Sequence, residues 1–445
     1  MKRISSLLAA LGLLASVTFA QIAPHVVRAK IAGLDVLIYR TGVQDVVTIK
    51  GSLPAGDAFA GDGNLAVPTL AGMLLDQGTT KQDKFAIADK LETVGANISF
   101  SVGQQLAEID AKCLKQDVPL VIGLIAEQLR FPALSAEEFA KAKAQLAGNL
   151  QHELDNTDYR AGSAFNRAVY PAGHPNREPS TEEMLAAIAS AKLEDVKAFH
   201  AKYYGPAHCT LVLVGDVDAA VIEHELVASF AGWTGGADTL HAAARATGTD
   251  ALKEQNVFMA DKTSVSVALG QPSGLRYSDP DYQALRAATA ILGSGFTSRL
   301  VGQVRDVEGL TYGIGSRLGN DALTDGDWRI TATFAPSKLE QGIASTKRQL
   351  AKWYADGVTD KEVADRKTNL IGTYKVGLAT TDGLAGVMLA TVQRGFTPAW
   401  LDDYPRQINA LTPAQINGAI RKYLKPDDMF LVKAGTVPGV VPAAK

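Results

Sequence analysis

The sequence predicts an α+β fold built from two homologous domains, each a largely antiparallel sheet packed with helices. Three observations carry that reading. The second half repeats the first at a separation of about 220 residues: LSAEEFAKAKAQLAGNL from Leu134 runs beside VTDKEVADRKTNLIGTY from Val358, pairing Lys143 with Lys367, Leu146 with Leu370 and Gly148 with Gly372. A second echo sets KLEDVKAFHAKYYGPAHCTLVLVG from Lys192 beside LTPAQINGAIRKYLKPDDMFLVKAG from Leu411, matching Lys202, Tyr203, Pro206 and Gly215 with Lys422, Tyr423, Pro426 and Gly435. Between the halves, TGGADTLHAAARATGT (234–249) is small and polar, as a linker is. Strand-like and helix-like stretches interleave with hairpin-like neighbours, which favours α+β over a doubly wound sheet.

In chain order, the first element is a leader. Lys2 and Arg3 precede an apolar run from Leu7 to Val17, then Thr18 and Ala20 before a plausible cut. This is the pattern of a secretory signal peptide over 1–20, with an apolar core too short to span a bilayer. It predicts export, to the periplasm. The first domain is expected over 21–233, the linker over 234–249 and the second domain over 250–445. Val36 to Arg40, Ala107 to Leu114 and Cys209 to Val214 are short, apolar-rich and strand-like. Val67, Leu70, Met73 and Leu74 recur at helical spacing before Gly78, a natural helix stop, and Val118, Val121, Ile122, Ile125 and Leu129 mark a second helix.

Composition narrows the function. With 445 residues, 47% hydrophobic and 20% charged, the chain is globular and long enough for two or three domains. Its formal charge of −3 comes without a run of one sign, so neither nucleic acid nor an anionic membrane is an expected partner. Two cysteines, Cys113 and Cys209, are too few for a disulfide scaffold. They are buried thiols or a single bridge.

Familiar catalytic motifs are missing. There is no GxSxG, HExxH or HxxEH, and none of the seven histidines, His25, His152, His174, His200, His208, His224 and His241, lies four residues from another. A helix cannot then hold zinc between two histidines on one face. His152 with Glu153, and Glu223-His224-Glu225, read as solvated helix faces. The glycine-rich GSGFTSRL at Gly293 and GIGSRLG at Gly313 lack the spacing of phosphate-binding loops.

One segment stands out: GSGFTSRLVGQVRDVEGLTYGIGSRL, Gly293 to Leu318. It closely resembles the C-terminal domain of the pitrilysin and insulinase family of zinc peptidases, the inverzincins, which include the mitochondrial processing peptidase. The family's pattern there is Ser-Arg-Leu, a further arginine, then Gly-Leu-x-Tyr, found here as Ser298, Arg299, Leu300, Arg305, Gly309, Leu310 and Tyr312. The resemblance implies that Arg305 and Tyr312 hold the substrate carbonyl and backbone. A guanidinium and a phenol are donors suited to an oxygen gaining negative charge. Arg299 is expected to pair within its own domain.

The same resemblance exposes a loss. Active members carry AHFLEHMLFKGT, with HxxEH on a helix and a distal glutamate ligand. Anchored on the shared Gly-Thr, this chain has PTLAGMLLDQGT from Pro68 to Thr79, so Thr69 and Met73 replace the histidines, Gly72 the glutamate base, and the distal glutamate falls near Asn149. No metal is expected in this chain. What the resemblance implies is an exported, non-catalytic subunit of a heterodimeric zinc peptidase. A homologous HxxEH-bearing partner would hold the zinc, and two bowl-shaped chains would enclose a chamber for peptides or unfolded segments. The alternative is a catalytically inert peptide-binding or scaffold protein of the same fold.

Overall fold

The computed structural model describes residues 21–238, 246 and 253–439. The leader at 1–20, the linker positions 239–245 and 247–249, and His241 lie outside the described residues.

Strands β1 (Val26–Ile31), β2 (Leu34–Arg40), β3 (Val46–Leu53), β4 (Asn97–Val102), β5 (Ala107–Leu114) and β6 (Thr210–Gly215) form one sheet in the order β1-β2-β6-β3-β5-β4. Strands β7 (Glu254–Phe258), β8 (Val265–Pro272), β9 (Thr311–Gly319), β10 (Asp327–Phe334) and β11 (Phe430–Gly435) form a second, ordered β7-β11-β8-β10-β9. Set β1 aside and the two orders coincide strand for strand. Only β2 with β6 and β7 with β11 run parallel; every other neighbouring pair is antiparallel.

Sequence pattern explains the strand faces. In β5, Ala107, Ile109, Ala111 and Cys113 point inward while their neighbours do not, the period-two alternation of a sheet with one covered face. The inner strands β6 and β11 are buried at every position, as the apolar run TLVLVG suggests for the first; in the second, FLVKAG, the buried Lys433 is paired with Glu254 at 2.5 Å. Cys113 and Cys209 are both buried free thiols rather than a bridge, and burial pushes each up to about 12, which leaves them unreactive.

The helices are α1 (Val67–Met73), α2 (Lys84–Val94), α3 (Val118–Arg130), α4 (Ala136–Glu153), α5 (Thr157–Val169), α6 (Thr181–Ser190), α7 (Leu193–Tyr203), α8 (Ala219–Phe230), α9 (Tyr282–Gly293), α10 (Leu339–Asp356), α11 (Asp360–Gly377), α12 (Thr381–Gln393), α13 (Ala399–Ala410) and α14 (Pro413–Tyr423). Their starts are set by side chains that satisfy free backbone N–H groups. Ser135 caps α4, and reciprocal pairs Ser180 with Glu183, Thr359 with Glu362 and Thr412 with Gln415 open α6, α11 and α14.

The repeat is visible in contacts as well as in order. Lys143 on α4 donates to the carbonyls of Ala189 and Ala191 at the end of α6, and Lys367 on α11 donates to that of Asn409 at the end of α13. Each lysine thus closes a helix C-terminus. Lys202 lies over the Tyr203 ring at 4.7 Å, Lys422 over the Tyr423 ring at 4.8 Å. Gly215 and Gly435 close β6 and β11 with φ of 150° and 139°. A Cβ there would meet the carbonyl oxygens of Val46 at 2.0 Å and Ser264 at 2.6 Å.

The halves also exchange a helix. Helix α5, from the first half, packs on β8 and β11, and α12, from the second, packs on β3 and β6. Each opens with a threonine whose hydroxyl bonds a hydroxyl on the other half's sheet: Thr157 with Ser266 at 2.8 Å, and Thr381 with Thr48 at 2.9 Å. Buried polar contacts tie the loops between them. Tyr170 donates to Asp327 at 2.9 Å, and the Asn176 amide donates to the carbonyls of Asn320 at 2.7 Å and Asp325 at 3.1 Å. The two sheets therefore share their cores.

Candidate functional site

Two places matter: the helix where the family's zinc motif would sit, and the segment carrying Arg305 and Tyr312. On α1, the Thr69 hydroxyl donates to the Asp57 carboxylate at 2.6 Å. Gly72 is buried, and a Cβ built on it would stand 2.2 Å from Cγ2 of Val102, on β4. Val102 fills the space that a longer side chain would need. Met73 is half-buried and packs against the first sheet's core, while Asn149 is exposed on α4. These four positions offer a hydroxyl, no side chain, a thioether and an amide. They do not fit zinc, which takes thiolate, imidazole or carboxylate ligands. Among the described residues no group of three or more His, Cys, Asp or Glu could hold a metal ion.

Asp57 is a neighbour that spacing and motif did not reveal. Burial pushes its carboxyl up to about 6, although the bond from Thr69 opposes the rise. Beside it, the buried Tyr204 hydroxyl has no hydrogen-bond partner among the described residues, and burial with the Asp57 charge raises it. Asp57 lies outside the helix in a short turn (Asp57–Ala60), and nothing in its sequence setting marks it.

The second place is built by a loop, a turn and a strand. Gly295, with φ of +80°, turns the chain after α9, and buried Ser298 donates both its backbone N–H (3.2 Å) and its hydroxyl (2.7 Å) to the Gly295 carbonyl. A π-helical turn, Val301–Val307, buries Val301 and Val304 against the core of the second half. Gly309, at φ +60°, then reverses the chain into β9. The inward valines and Leu310 leave Arg305 and Tyr312 on the outside together, with the guanidinium carbon 5.0 Å from the Tyr312 ring centroid. Tyr312 is 89% exposed.

Two arginines of this segment meet opposite fates. Arg299 is clamped: its guanidinium donates to both Glu362 oxygens, at 2.6 and 2.8 Å, and to the Gly357 carbonyl at 2.8 Å. Burial works against the Glu362 charge, yet the bonds from Arg299 and Thr359 hold that carboxyl at about 2. Among the described residues, Arg305 has Asp306 as its one ion-pair neighbour, 3.8 Å away, and two aromatic rings, those of Tyr312 and Phe296. The first is a structural bridge. The second keeps its donors available.

Residues 190–370 match the model of the Peptidase M16 inactive domain. A protein of Rickettsia bellii described as an uncharacterized zinc protease is 24% identical over 76% of this chain and 80% of its own length. A Helicobacter pylori protein described as the non-peptidase homolog YmxG is 22% identical over 84% of this chain and 86% of its own. Among solved structures, the peptidase M16 inactive domain from Pseudomonas fluorescens superposes with a TM-score of 0.85 at 24% identity, covering 94% of this chain and all of that one. The chain thus has the fold of that solved structure, and over residues 190–370 it is similar to the inactive domain of the M16, or pitrilysin-type, peptidases.

Proposed function

We propose that this chain is the exported, non-catalytic subunit of a two-chain zinc peptidase, and that Arg305 and Tyr312 hold the substrate of a partner subunit. One observation carries the reading: Val102 fills the space that a side chain at Gly72, the general-base position, would need, while an arginine and a tyrosine at family spacing stand together at the surface, the arginine free of a carboxylate clamp. The partner is a homologous chain bearing HxxEH. It holds the zinc and the general base, and peptides or unfolded segments enter between the two chains. Here Arg305 and Tyr312 would donate to the carbonyl of the bond being cut, where charge develops in the transition state. The apolar leader at 1–20 supports export to the periplasm.

Co-expression with an HxxEH-bearing homologue tests this. Size exclusion with light scattering should give a one-to-one complex that cleaves peptides. Separate monomers at micromolar concentration, with no activity on mixing, would instead favour an inert peptide-binding or scaffold protein.

A further inference from the structure

Resting on that reading of Arg305, the geometry points to a third residue of the same site, Phe296, as the positioning residue of the Arg305 guanidinium. Its ring centroid lies 5.4 Å from the guanidinium carbon, and the residue is 79% exposed. An exposed phenylalanine gains little from burial. What fixes it is the turn beneath: Gly295 in the left-handed region and the Ser298 bonds back to the Gly295 carbonyl hold the loop that presents it.

The contrast with Arg299 shows what this arrangement provides. A carboxylate clamp fixes a guanidinium by consuming its N–H donors and neutralising its charge, as Glu362 does to Arg299. A ring attracts the cation through its face and takes up none of those donors. Held by Phe296 and Tyr312, Arg305 keeps both its charge and its hydrogen-bonding edge for a carbonyl oxygen. Losing Phe296 would leave the side chain to sample other rotamers, so the fraction aimed at substrate would fall while the charge remained.

The test uses the full chain with Phe296→Leu and Phe296→Tyr. In the chain alone, the Arg305 Nε–H resonance, assigned by its loss in Arg305→Lys, should carry a ring-current shift that Phe296→Leu reduces and Phe296→Tyr keeps. In the complex with the HxxEH-bearing partner, Phe296→Leu should lower kcat/KM by roughly two- to fivefold, the weight of an exposed cation–π contact. Phe296→Tyr should restore the rate, with melting temperature unchanged throughout. An Nε–H signal unmoved by Phe296→Leu overturns the proposal. If the signal moves but Arg305→Ala leaves peptide cleavage intact, positioning stands and the functional reading of Arg305 falls.

Discussion

A Cβ on Gly72 would stand 2.2 Å from Cγ2 of Val102, so helix α1 lies tight against the neighbouring strand at the position where the resemblance places a general base. Gly72→Ala should therefore destabilise the chain by about 1 kcal/mol, because overpacking of about 1–3 kcal/mol outweighs alanine's better helix propensity. Val102→Ala in the same chain should recover most of that loss. Thermal melts of the two single variants and the double variant check it. Equal, additive losses would show that the two residues do not contend for one space.

The Arg299–Glu362 bridge is structural, and its removal should read as stability rather than function. Arg299→Ala should cost roughly 1–3 kcal/mol, since it leaves a half-buried carboxylate without its bidentate partner. Lysine at the same position should rescue only part, because an ammonium cannot match both oxygens. Chemical denaturation measures both. In acid, the same carboxyl works the other way from Asp57: held at about 2, below its unfolded value, Glu362 contributes stability above the unfolded value that is lost as pH falls toward 2.

Asp57 gives a signed pH effect. Unfolded, an aspartate titrates near 3.9, whereas folded Asp57 titrates at about 6. Between those values the folded chain binds the extra proton, so lowering the pH from 7 to 4 should stabilise the native protein relative to Asp57→Asn by about 1–3 kcal/mol. Denaturant titrations of both proteins across that window test it. Parallel curves would show that Asp57 does not titrate above its unfolded value.

Because α5 and α12 are exchanged between the halves, neither half should fold alone. Residues 21–238 lack the helix that covers β3 and β6, and residues 253–439 lack the one that covers β8 and β11. Expressed separately, each should show broad, non-cooperative melting. Mixed, they should regain a single transition. Independent cooperative folding of either fragment would contradict the exchange.

How much of this was legible in the sequence follows from what each residue interacts with. The repeat was legible because the paired residues do the same work twice: Lys143 and Lys367 each close the second helix downstream of their own, α6 and α13, and Gly215 and Gly435 each let a strand end pass under a neighbouring carbonyl. A motif of fixed spacing marks Arg305 and Tyr312, which the fold sets 5.0 Å apart, and the strand β5 was legible because its alternation is set by one covered face. The exchange was not legible. An apolar face on α5 says that it packs on something, not that the something is a sheet assembled from residues beyond 253. Asp57 and Phe296 were missed for a similar reason: what makes them notable is a Thr69 hydroxyl and an Arg305 guanidinium brought to them by the fold.

The most direct measurement is peptide cleavage by the complex of this chain with an HxxEH-bearing partner, comparing the unmodified chain with Arg305→Ala and Tyr312→Phe. Each variant removes one donor aimed at the developing charge, and such a donor is typically worth about 10² to 10³ in rate. Tyr312→Phe keeps the ring beside Arg305 and deletes only the hydroxyl, so it isolates the donor from the stack. Turnover should fall by that order in both, with assembly, partner zinc content and melting temperature unchanged. Full activity in both variants, at saturating substrate and well below saturation, would contradict it and leave the pair as a remnant on an inert fold.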